Sequence, residues 1–125
     1  MKEPIESLCY LFIEMAISDG QMEKVEAETI LEMITDLLNS DQGNVLSKRN
    51  STDAVIIVPN AIDFYFKNRS PELVNNTLQE LNDYLTKEEK ILTANMLIHL
   101  AKANENVDPG EIEFFNYVKR SWELD

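Results

Sequence analysis

Asp19, Glu23, Glu26, Asp108 and Glu111 are the side chains whose type and spacing come nearest to a ligand site. They gather around two short turns, one at Ser18-Asp19-Gly20-Gln21 and one at Asn104-Glu105-Asn106-Val107-Asp108. Hard divalent cations such as Ca²⁺ or Mg²⁺ take several oxygen ligands, from a loop or from neighbouring helix starts. Asp19 and Glu26 flank the first turn, and Glu23 shares a helix face with Glu26 at a spacing of three. The spacing is not that of an EF-hand loop, which wants glycine at its sixth position and a bidentate Glu at its twelfth. Counted from Asp19, glycine comes one residue on and Ile30 stands twelfth; counted from Asn104, Pro109 and Phe115 fill the two places. A Ca²⁺ or Mg²⁺ site is expected here only with a looser ligand set. The competing assignment, which gives each acid a local role, makes them helix caps and partners of helix dipoles.

Other chemistry finds little footing. Structural zinc wants about four nitrogen or sulfur ligands, and the chain has one cysteine and one histidine. There is no nucleophile elbow, no glycine-rich phosphate loop and no HExxH motif. A binding protein is therefore expected, not an enzyme. Cys9 lies in the apolar run Leu8–Ile13 and reads as a buried, inert thiol. A lone cysteine also gives no sign of a disulfide-built fold.

Twenty-three acidic residues face 11 basic ones, a formal net charge of −12. Such a surface repels phosphate backbones and anionic headgroups, which disfavours plain nucleic-acid binding. It suits cations, partner proteins with a basic surface, or solubility alone. Glu23, Glu26, Glu28 and Glu32 would form an acidic stripe on one helix, able to meet a basic partner. Phe114, Phe115, Tyr117 and Trp122 form an aromatic stripe near the end of the chain. An exposed Trp122 there would mark a docking face or a homodimer.

The elements that must position these residues are helices. Apolar residues recur at helical spacing almost throughout, and they make up, with the other hydrophobic types, 44% of the 125 residues. One all-α domain over residues 1–125, with five to seven helices, is expected. A helix over about Ile5–Ile17 is apolar around most of its circumference and belongs inside a bundle. A second follows over about Glu23–Leu38, then a polar loop over about 39–53. Ala54-Val55-Ile56-Ile57-Val58-Pro59 is β-branched, but no second strand-like run exists to pair with it. A helix over about Asp53–Phe66, bent or restarted at Pro59, is expected instead. Ser70-Pro71 opens a helix to about Tyr84, and Thr86-Lys87-Glu88-Glu89 is a capping box for an apolar helix to about Ala103. Asp108-Pro109-Gly110-Glu111 opens the last, to about Trp122. No run of about 18 apolar residues marks a membrane span, no secretory leader is evident, and a cytoplasmic location is expected.

The chain also repeats itself. Leu11–Ile34 aligns with Met96–Lys119 at a constant offset of 85, with Ala16 falling on Ala101, Glu26 on Glu111 and Met33 on Val118. Each unit is an apolar helix, a short acidic turn, and a helix with Glu in its first turn. Two such hairpins predict a pseudo-symmetric bundle, the first helices packed together and the second ones outside. His99 takes the place of Glu14. It is expected as a hydrogen-bonded histidine at the core edge, with a Glu14–His99 contact across the pseudo-axis as the alternative.

At Ala16-Ile17-Ser18-Asp19-Gly20-Gln21-Met22-Glu23-Lys24-Val25-Glu26 the sequence resembles the TerB-like, tellurite-resistance family. Ala101–Glu111 is similar to that family's closing segment, with Asn104-Glu105 standing where Asp-Gly would. The resemblance covers about residues 1–38 and 86–122. It implies a TerB-like helical bundle, a stress-response role, and binding of metal ions or partner proteins through acidic residues. It implies no catalytic residues.

Overall fold

The computed structural model describes residues 4–18, 22–39, 53–103 and 109–124. Six helices lie among them, and no strand. They are α1 (Pro4–Ile17), α2 (Lys24–Asn39), α3 (Ala54–Asn68), α4 (Pro71–Tyr84), α5 (Lys87–Lys102) and α6 (Pro109–Ser121). The polar segment expected as a loop falls almost wholly outside the described residues, as do Asp19 and Asp108.

The bundle is built around α1. Twelve of its 14 residues are buried, from Ile5 to Ile17 with only Glu6 left partly open. A helix apolar on every side has no face for water, and α1 accordingly packs against each of the other five helices. Phe12, Ile13, Met15 and Ala16 are fully enclosed.

The surrounding helices are amphipathic and start where local chemistry says they should. Ser70 caps α4, its hydroxyl accepting from the Leu73 amide at 3.1 Å, with Pro71 in the first turn, where a missing N–H costs nothing. Thr86 and Glu89 complete the expected capping box of α5, at 3.2 and 2.8 Å. α3 runs unbroken through Pro59. The proline forfeits only the bond its own N–H would have made to the Val55 carbonyl, one turn from the helix start, so no restart is needed.

The repeat is visible in three dimensions, with one correction. α1 packs against α5, and both α2 and α6 touch each of these two. The paired positions Phe12 and Leu97, Met15 and Leu100, and Ala16 and Ala101 are all buried. The two first helices are not equally enclosed, however. α5 buries one face through Thr93, Ala94, Leu97, Leu100 and Ala101 and turns Ile91, Leu92 and Ile98 to solvent. The polar position is also paired unequally. Glu14 is buried, whereas His99 lies on the outer face of α5 and is exposed, neither a core-edge histidine nor a partner of Glu14.

Truncation at the hub should therefore be expensive. Phe12→Ala is expected to cost about 3–5 kcal/mol, read as a lowered urea midpoint with an unchanged slope. A loss below about 1 kcal/mol would mean that the neighbours close over the gap and α1 is not a rigid hub.

Candidate functional site

The turn acids divide into two kinds. Glu26 is the third residue of α2 and is completely buried. Its Oε1 accepts from the Glu23 backbone N–H at 2.8 Å, the reach-back half of a capping box. Glu111 is the third residue of α6 and is 2% exposed, so the two sequence-related glutamates share a helix position and a depth. Glu23 is half-buried beside its cap. Glu26 does not join an outward acidic stripe, because capping turns its carboxylate back towards the helix start. Ser18 and Gly110, at the edges of the two turns, line one cavity of about 550 Å³ together with the outer face of α6. No group of three or more His, Cys, Asp or Glu side chains suited to a metal ion occurs among the described residues.

The row of carboxylates that does face water is Glu28, Glu32 and Asp36 on α2. They stand four residues apart on one stripe, opposite the buried Ile30, Met33, Ile34, Leu37 and Leu38. Lys24 approaches Glu28 at 4.0 Å across an open surface. Such a pair is worth a few tenths of a kcal/mol.

A second cluster has no counterpart among the residues singled out by spacing. Glu14, in the middle of α1, accepts from Tyr65 Oη at 2.5 Å, from Arg69 Nε at 3.0 Å and from Arg69 Nη2 at 2.8 Å. It joins α1 to the C-terminal end of α3 and to the residue before the cap of α4. Burial, then the hydrogen bond and charge of Glu14, raise the Tyr65 hydroxyl well above the usual phenol range. The bond to Glu14 likewise holds the Arg69 guanidinium above its ordinary value, against a smaller opposing effect of burial. A cavity of about 350 Å³ opens beside the pair, lined also by Ser70, Pro71 and Val74. Both Glu14 oxygens are already engaged, so the cluster reads as a fastening of three helices.

Two other expectations resolve simply. Cys9 is enclosed, and burial followed by the negative charge of Glu6 pushes its thiol up to about 12. A thiol so placed is a poor nucleophile. Trp122 is buried at 4% exposure and its indole N–H donates to the Leu78 carbonyl at 3.0 Å, so it marks no docking face. Of the other aromatic residues, Phe114 and Phe115 are half-buried and Tyr117 is exposed, its hydroxyl donating to Asn75.

No protein-family model matches the chain, and no curated protein or solved structure is significantly similar to it. The resemblance to the TerB-like family rests on the motif residues alone.

Arg69→Ala should cost about 3 kcal/mol, because it strands a buried carboxylate. Arg69→Ala combined with Glu14→Leu should recover much of that loss in urea denaturation. Additive losses would mean that the pair is held apart by other groups. A second expectation concerns alkali. Cys9 and Tyr10 both hold their protons to about 12 in the folded chain, Tyr10 through burial and then the charge of Glu6. The unfolded chain releases them from about 9 to 10. Their contribution is complete below about pH 9 and is lost as pH rises towards 12, since the unfolded state then binds fewer protons. Tyr10→Phe should flatten the fall in urea midpoint over that window, and parallel curves would refute the assignment.

Proposed function

We propose that this protein is a non-catalytic docking module of the TerB-like kind, which binds a basic surface of a partner protein through Glu28, Glu32 and Asp36 of α2. The observation that carries the reading is the spacing of these exposed acids. Like charges four residues apart on a helix repel one another and cost about 0.2–0.5 kcal/mol per pair. Beyond the exposed Lys24–Glu28 pair, nothing in the folding of α2 asks for three of them in line. The helix already has its cap in Glu26 and its buried stripe of five apolar residues. A row that weakens its own helix fits a surface kept for binding. The net charge of −12 adds long-range attraction for a cationic partner and speeds encounter.

The Ca²⁺ or Mg²⁺ reading has less support. Glu26 is engaged in capping and buried, and no three His, Cys, Asp or Glu side chains among the described residues are placed to hold a metal ion together. A role in tellurite resistance or another stress response rests on the resemblance at Ala16–Glu26 and Ala101–Glu111.

Glu32→Lys separates binding from folding. It replaces two repulsive spacings, to Glu28 and to Asp36, with attractive ones, and should raise stability by roughly 0.5–1 kcal/mol. Affinity for a fluorescent lysine- and arginine-rich peptide should fall at least tenfold by anisotropy, and binding by the unaltered protein should weaken steeply with salt. Unchanged affinity in Glu32→Lys would remove α2 as the docking face. Calorimetric titration with Ca²⁺ or Mg²⁺ alone should give no heat that Glu23→Ala abolishes; such a heat would restore the cation reading.

A further inference from the structure

We draw no further inference here: the strongest candidate, the cavity of about 550 Å³ on the outer face of α6 between Glu113, Phe114, Tyr117 and Arg120, carries none, because its charged side chains are exposed to water and nothing in the structure shows what ligand would engage them.

Discussion

The enclosure of α1 is the constraint from which the rest of the structure follows. A helix with apolar residues on every side must be covered on every side, and five partners do so. One ionisable residue in its middle, Glu14, is buried with it. A carboxylate removed from water needs a cation and saturated hydrogen bonds. Arg69 supplies the cation from the half-exposed junction between α3 and α4, where it keeps some contact with solvent. Tyr65 fills a remaining lone pair. The burial of α1 therefore fixes the position of α3 and the entry to α4 through one charged contact as well as through packing.

The acids at the turns look alike in the sequence and divide by depth in the structure. The glutamates at the third positions of α2 and α6 are both buried, and Glu26 visibly serves the amide at its helix start. A capping carboxylate that is enclosed cannot also present itself to a partner. The carboxylates able to do so, Glu28, Glu32 and Asp36, owe nothing to the turns; they lie further along α2, on the side away from the core. Capping and display thus occupy separate residues of one helix.

What was legible in the sequence was whatever is decided locally. Ser70-Pro71 and Thr86-Glu89 announce helix starts because capping acts within three or four residues. α1 announced its burial because its composition leaves no polar face. The dual character of Ala54–Pro59 also resolved correctly, since a lone strand cannot satisfy its own backbone. The Glu14 cluster was not legible. Its partners lie 51 and 55 residues away, and the one available signal, an acid isolated in an apolar run, shows that a partner is needed without naming it. Alignment of the repeats suggested His99, but alignment compares positions and not surroundings. α1 is covered by five helices and α5 on one face only, so the same register is interior in one unit and exterior in the other. Of the candidate site itself, the capping role of Glu26 was readable from spacing. Its depth was not, because burial depends on which helices pack over it.

The same difference in coverage bears on how the surface is divided. Exposed carboxylates line α2, while the largest open apolar side chains lie on α3, whose two charges cancel. Both helices pack against α1 and against each other, so both have spent one face on the core. Their remaining faces are free to differ, and their chemistries are opposed in range. Charge on α2 acts over roughly a Debye length of about 8 Å at physiological salt and suits encounter with a partner of opposite sign. Apolar contact on α3 acts only when water is excluded and suits a surface that is covered. The Asp63–Lys67 pair on α3 contributes only the few tenths of a kcal/mol of an exposed helical pair.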